Sequence, residues 1–195
     1  MQHIRCFAII FLLVFPFVFL PVLAHEEGSS EGAPGADSAR PSENSLDKGD
    51  SAPPFELTDQ NGERIALSDF NGRPRFVTFV YTHCEDVCPL ILQNRRRLEA
   101  DMTPVIGDGI VFIGITVDPE NDSSAVLKAF IQKIGVETRD LHLLTGSVEA
   151  VEAVLLAYNV GLVKEGEFGR VVGHSGLGYA IDAAGIIRDI YNFSS

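Results

Sequence analysis

The sequence is short of two kinds of residue, and both shortages narrow its function. It has only 15 Lys and Arg against 27 Asp and Glu, which gives a formal net charge of −12. Nucleic acid and anionic lipid repel such a chain, so neither is an expected partner. Cysteine is also scarce, with 3 in the chain. The chain beyond Cys6 has only Cys84 and Cys88, and a disulfide between them would close a very short loop. A disulfide that joins distant elements is therefore excluded in that part of the chain.

The first 24 residues predict an export signal. Arg5 precedes an apolar stretch over residues 7–23 that ends in small residues before His25, an arrangement typical of a secretory signal peptide. The stretch also approaches the roughly 20 residues that span a bilayer. Cleavage after Ala24 and a retained anchor in the inner membrane therefore remain alternatives. In both cases we expect the protein to be exported, to a bacterial periplasm.

The rest of the chain predicts a tether and one domain. Residues 25–50 are rich in Gly, Ser, Pro and acidic residues, a composition that favours disorder because there is little to bury. Residues 51–195 are enough for a single domain with its own core. They contain no internal repeat, and we expect a monomer.

Strand and helix patterns alternate along this domain. An Asn61-Gly62 turn predicts a hairpin, and two buried strands are predicted at 75–81 and 110–117. Pro89 predicts the first turn of a helix that runs to residue 98. Further elements are predicted as helices over 123–134 and from Ser147 to Tyr158, and as strands over 141–144, 178–182 and 186–191. This order predicts an α/β, thioredoxin-like three-layer fold, with a mixed central sheet, flanking helices and an N-terminal hairpin.

The cysteine pair lies between the first buried strand and the helix that follows it. If Cys88 caps or begins that helix, free N–H groups and the helix dipole favour its thiolate. Glu85 and Asp86 lie between Cys84 and Cys88, where their charge opposes thiolate formation without a metal and attracts a cation. The pair therefore favours metal binding, with a redox-active thiol pair as the alternative.

A lone downstream histidine, His174, can complete a soft set of ligands. Two thiolates and an imidazole suit copper or zinc, but a closed zinc site takes four protein ligands. No cysteine follows Cys88, and His83 and His142 are less persuasive as ligands. A three-ligand copper site fits better. The glycines around His174 predict that it lies in a loop with a close backbone approach.

Three segments resemble the Sco/SenC family of copper proteins. They are Tyr81-Thr-His-Cys-Glu-Asp-Val-Cys-Pro89, Thr116-Val-Asp-Pro-Glu-Asn-Asp122, and Gly173-His-Ser-Gly with Tyr179-Ala-Ile-Asp182. The resemblance implies a thioredoxin fold that binds Cu(I) or Cu(II), one ion per domain. It also implies a part in assembling the copper site of cytochrome c oxidase, by delivering copper or by keeping the cysteines of that site reduced.

Position by position, the resemblance implies that the copper ligands are Cys84, Cys88 and His174. The two cysteines would also form the redox-active disulfide. Asp118 matches an acidic residue near the site that supports the ligands or contacts the partner. An N-terminal cap on the helix after Pro119 is the other interpretation of Asp118. The implied partner is the copper-site subunit of cytochrome c oxidase or another copper recipient.

The competing hypothesis is a thiol–disulfide oxidoreductase or peroxidase on the same fold. Such proteins place a cis-proline before the penultimate strand, facing the cysteine pair. Here no proline follows Pro119, and the stretch around His174 takes that position. The sequence therefore favours a metallochaperone over an enzyme, although thiol reductase activity toward one copper site is compatible with it. A non-catalytic interaction domain is the third alternative.

Overall fold

The structure is a computed structural model that describes residues 46–83, 87–136, 139–165 and 170–193. The predicted signal and the tether up to residue 45 lie outside the described residues. Among the described residues, no helix combines the length and apolar character needed to cross a membrane. The last residues of the predicted tether contact the domain: Leu46 packs against the core, and the Gly49 amide donates to the Ile187 carbonyl at 2.8 Å.

The described residues form strands and helices in alternation. The strands are β1 Glu56–Asp59, β2 Arg64–Ala66, β3 Arg75–Val80, β4 Val111–Thr116, β5 Leu141–Thr145, β6 Leu162–Glu165, β7 Arg170–His174, β8 Leu177–Ile181 and β9 Ile187–Asn192. The helices are α1 Val87–Gln93, α2 Arg95–Ile106, α3 Ser124–Ile134 and α4 Val148–Ala157, with a 3₁₀ turn at Leu67–Phe70.

A mixed seven-stranded sheet organises the domain. Its order is β2-β1-β5-β4-β3-β8-β9, with β3, β4 and β5 parallel and β8 and β9 antiparallel to their neighbours. Strands β6 and β7 form a separate two-stranded ribbon. The predicted hairpin, the parallel central pair and the antiparallel C-terminal pair are all confirmed.

Helices cover both faces of the sheet. Side chains from α1, α2 and α3, such as Leu92, Met102 and Leu127, pack with Phe76 on one face. On the other face, side chains from α4, such as Val151, pack with the opposite side of the sheet. This is the predicted three-layer arrangement. Non-helical segments follow the carboxyl ends of β3 and β4, beginning at Tyr81 and Val117.

The helix predicted from Pro89 to residue 98 differs from the observed structure. It begins two residues earlier, at Val87, and breaks at Asn94, so that α1 and α2 are separate helices. The second helix then continues to Ile106 with Pro104 inside it. Pro89 still lies in the first turn, where its missing N–H costs no hydrogen bond.

The loop predicted around His174 is wrong. His174 is the last residue of β7 and pairs with Leu162 across the ribbon. The close backbone approach predicted from Gly173, Gly176 and Gly178 is found at Gly178 in β8, where an added Cβ would come within 2.4 Å of the Phe76 ring. At Gly173 the nearest atom would be at an ordinary 3.8 Å.

Candidate metal centre

The carboxyl edge of the parallel strands brings together the segments predicted to carry the site. Strands β3 and β4 run in register, with Val80 opposite Thr116, and the Val117 amide donates to the Val80 carbonyl at 2.9 Å. The cysteine segment follows β3, and Asp118 follows β4. In open α/β sheets this edge is where ligands bind. The residues that lead into the cysteine segment, up to His83, follow β3 at the same edge as Asp118, and the position of Cys84 relative to Asp118 stays a prediction.

Of the two predicted thiolate ligands, only the backbone of Cys88 is described by the structure. Cys84 lies outside the described residues. Cys88 is the second residue of α1, one position later than a cap or first residue. Its backbone remains in the first turn of that helix. The metal-binding role of both cysteines stays a prediction.

His174 lies at the same edge of the sheet. Its half-buried ring meets the ring of Tyr81 edge to face, with the centroids 5.8 Å apart. Its Nδ1 lies 2.9 Å from the Ser175 carbonyl oxygen. A carbonyl only accepts hydrogen bonds, so Nδ1 carries the proton and Nε2 keeps a free lone pair.

Burial favours the neutral form of this imidazole. It lowers the pKa of His174 below the ordinary value of 6.5, and the hydrogen bond to Ser175 acts in the opposite direction with a smaller effect. A neutral imidazole is the form that binds a metal. At neutral pH His174 therefore presents Nε2 in the state that a ligand requires.

A buried carboxylate, Asp122, ties the two edge loops together. It has no exposed surface, and it accepts hydrogen bonds from the Thr82 amide at 3.1 Å, the Thr82 hydroxyl and the Thr116 hydroxyl at 2.7 Å. Hydrogen bonds to a charged acceptor are among the stronger ones in proteins. Asp122 therefore fixes the backbone of Thr82, two residues before Cys84.

Asp118 is 6% exposed and has a local partner. Both of its carboxylate oxygens accept from the Asn121 side-chain amide, at 3.0 and 2.9 Å. The predicted capping role is wrong, because Ser123 is the N-cap of α3 and its hydroxyl accepts from the Val126 amide. Asp118 instead orders the turn that leads from β4 to Asp122.

The other histidines considered as ligands lie elsewhere or are exposed. His142 is in β5, where its Nδ1 is 3.8 Å from the Asp59 carboxylate and its ring packs on Phe70. That contact is at the beginning of β5, away from the carboxyl edge. His83 is exposed on the turn after Thr82.

Sequence reasoning missed Tyr81 and Asp122. Both lie within the segments quoted for the family resemblance, but no pattern in the sequence distinguished them from their neighbours. Within the described residues, no group of three or more His, Cys, Asp and Glu side chains is arranged to hold a metal. Two of the three predicted ligands are not among the side chains described. An available imidazole nitrogen at this edge, with the two cysteines that the sequence has shortly after His83, suits a soft metal ion or thiol redox chemistry.

The sheet, its two helical layers and the site at the carboxyl edge define a thioredoxin-like protein with a candidate thiol and imidazole centre. The chain belongs to the SCO1/SenC family, whose sequence model matches residues 43–195. This family comprises copper-binding proteins that take part in cytochrome c oxidase assembly.

Relatives and solved structures agree with this assignment. The mitochondrial SCO2 homologue of Mus musculus is 32% identical over 148 residues, which cover 72% of this chain and 55% of that protein. The structure of Bradyrhizobium japonicum ScoI with copper bound is similar with a TM-score of 0.61 and 30% identity, covering 75% of this chain and 92% of that one.

A third likeness concerns thiol chemistry. The structure of BsSco is similar to this chain, and BsSco is a member of the Sco family of cytochrome c oxidase assembly proteins in which a disulfide switch was identified. The TM-score is 0.59 at 26% identity, with 77% of this chain and 88% of that chain covered. This chain spans about half the length of the mammalian relatives that it matches.

Proposed function

We propose that this protein is a copper metallochaperone that binds one copper ion through Cys84, Cys88 and His174. The contact that carries the proposal is the one between Tyr81 and His174, because it seats an imidazole against the end of the strand from which the cysteine segment begins. The copper-bound ScoI structure supports the choice of metal. Two thiolates and one imidazole are a soft, low-coordination set that suits copper in either oxidation state.

The proposed ligands would contribute differently to binding the two oxidation states of the ion. Thiolates of Cys84 and Cys88 would bind Cu(I) by themselves, and His174 would complete the set that Cu(II) needs. Acidic Glu85 and Asp86 add to the attraction for a cation. We propose as recipient the copper-site subunit of cytochrome c oxidase or another exported copper protein. Reduction of that site's cysteines by the same thiol pair is compatible with this role.

Export is part of the proposal. Its support is the sequence of residues 1–24, with Arg5 ahead of an apolar stretch and small residues before His25. We propose that the domain acts in a bacterial periplasm, either free after cleavage or tethered to the inner membrane by residues 7–23.

Copper binding should depend on the oxidation state of the cysteine pair. The reduced protein, reconstituted anaerobically with Cu(I), should hold one ion per chain, and the disulfide form should hold none, because oxidation removes the thiolate ligands. The measurement is metal content after gel filtration, paired with a thiol titration of the same sample. Copper retained stoichiometrically by fully oxidised protein would show that the thiols are not the ligands.

Thermal unfolding serves as the control for this experiment. The loop that a Cys84–Cys88 disulfide would close is very short, so the bond adds little stability through loop entropy. Oxidised and reduced metal-free protein should therefore unfold at similar temperatures. A loss of copper accompanied by unfolding would point to damage and not to redox control.

Asp118 should matter for transfer more than for retention of copper. Asp118→Ala should keep one copper per chain but slow delivery to a copper-free oxidase domain by about tenfold, the lower end of what a residue supporting a metal ligand contributes. Asn121→Ala is the matched control, since it removes the same two hydrogen bonds from the other side. Equal slowing in both variants would assign the effect to the turn, and wild-type transfer in Asp118→Ala would refute the carboxylate's role.

A further inference from the structure

The ring of Tyr81 is held at the junction of the two helical layers. Its half-buried side chain packs against the hydrophobic clusters on both faces of the sheet. The backbone is fixed on either side of it. The Val80 carbonyl accepts from the Val117 amide, and the Thr82 amide and hydroxyl both donate to the buried Asp122 carboxylate.

His174, by contrast, comes from an element outside the main sheet. It ends the β6–β7 ribbon. Two hydrogen bonds join Ser175 to Gly161 at the base of that ribbon: the Ser175 amide donates to the Gly161 carbonyl at 2.9 Å, and the Gly161 amide donates to the Ser175 hydroxyl at 2.7 Å. An imidazole on so small an element needs a fixed surface to hold its orientation. The edge-to-face contact with Tyr81, at 79° between the rings, provides one.

We propose that Tyr81 is the positioning residue for His174, fixing the imidazole in the orientation that bonds Nδ1 to the Ser175 carbonyl and leaves Nε2 available to a metal. The inference rests on the proposed copper-binding function. It concerns Tyr81, which is not one of the three proposed copper ligands. Because Asp122 anchors Thr82, the same short segment orders both the approach to Cys84 and the seat of His174. The residues that lead into the thiol segment and the imidazole of His174 thus share one support.

The test compares Tyr81→Ala with Tyr81→Phe in the purified protein. Loss of an edge-to-face aromatic contact should weaken Cu(II) binding about fivefold, from its typical contribution of roughly 1 kcal/mol. Tyr81→Phe keeps the ring and should restore binding to the wild-type level. Cu(I) binding should change less, because two thiolates remain a sufficient set for this softer ion. Affinities come from competition with chelators specific for each oxidation state.

A second readout needs no metal. Nitrogen-15 NMR of the imidazole reports which ring nitrogen carries the proton. Wild type and Tyr81→Phe should show a single Nδ1–H form, and Tyr81→Ala should show a mixture of forms. Tyr191→Ala is the matched control: it removes a partly buried tyrosine that packs on Phe76, and it should leave both the imidazole signals and Cu(II) binding unchanged.

The outcomes separate this inference from the proposed function. If His174→Ala weakens Cu(II) binding and Tyr81→Ala does not, the positioning role is overturned. If Tyr81→Phe is as weak as Tyr81→Ala, the ring contact is not the cause and the inference fails. If His174→Ala binds Cu(II) as wild type does, the assignment of His174 as a ligand fails, and the metal-free spectra alone decide whether Tyr81 fixes the imidazole.

Discussion

Serine at both Cys84 and Cys88 should reduce copper binding from one ion per chain to none. A serine hydroxyl stays protonated at neutral pH and is a hard oxygen ligand, whereas Cu(I) selects soft thiolates. His174 alone cannot retain the ion. The measurement is copper content after reconstitution of the reduced protein with Cu(I) and removal of unbound metal.

The fold should survive this double substitution. Serine is close to cysteine in size, and the pair staples no distant elements together. Circular dichroism and the unfolding midpoint should therefore match those of the wild type. His83→Ala is the matched control, since it alters the exposed neighbour of Cys84 and should leave copper binding intact. Full-strength binding by the double variant would refute the proposed ligand set.

Replacing Asp122 by alanine should cost about 3 kcal/mol of the free energy of unfolding. The change removes a fully buried acceptor and leaves the Thr82 amide without its partner, and each buried polar group stranded in this way costs roughly 1–3 kcal/mol. That is a large part of the roughly 5–15 kcal/mol that stabilises a typical domain. Denaturation in urea should show a lower midpoint with an unchanged slope.

Two further variants make the Asp122 prediction specific. Asp122→Asn keeps an acceptor for the Thr82 amide and a group that can pair with the threonine hydroxyls, so it should cost about 1 kcal/mol. Glu120→Ala alters an exposed residue of the same loop and should change stability by less than about 0.5 kcal/mol. A variant Asp122→Ala as stable as Glu120→Ala would show that the hydrogen bonds to Thr82 and Thr116 contribute little.

The sheet could be predicted from the sequence because its central strands are buried on both faces. All six residues of β3 and all six of β4 are buried, and most of them are β-branched or aromatic. The polar residues among them are Arg75, Thr78 and Thr116. The Asn61-Gly62 turn and the turn after Asp182 likewise have local signals. The same parallel pairing predicts that Asp118 lies at the edge where the chain leaves β3 toward the cysteine segment, and the in-register pairing of Val80 with Thr116 agrees with this.

The features that escaped prediction lack such local signals. The β6–β7 ribbon contains Lys164, Glu165 and Gly173, and its register shifts at Val163 and Lys164, so its sequence has no regular alternation of apolar and polar residues. The break at Asn94 has no side-chain cap. The role of Asp122 depends on Thr82, 40 residues earlier in the chain, and no sequence pattern encodes a tertiary hydrogen bond of that kind.

Strands β6 and β7 pair with each other and not with the described strands of the seven-stranded sheet, so the ribbon can open locally while the sheet stays paired. A two-stranded hairpin is marginally stable by itself in water. Opening this one breaks its own ladder, the Gly161–Ser175 bonds and the ring contact of His174 with Tyr81, while β3 stays paired with β8. Local openings of this kind require less free energy than global unfolding. The opening and closing equilibrium of the β6–β7 ribbon therefore controls whether the imidazole of His174 can leave the site. The protein can release one of its three proposed ligands at a low cost in free energy while its core stays folded.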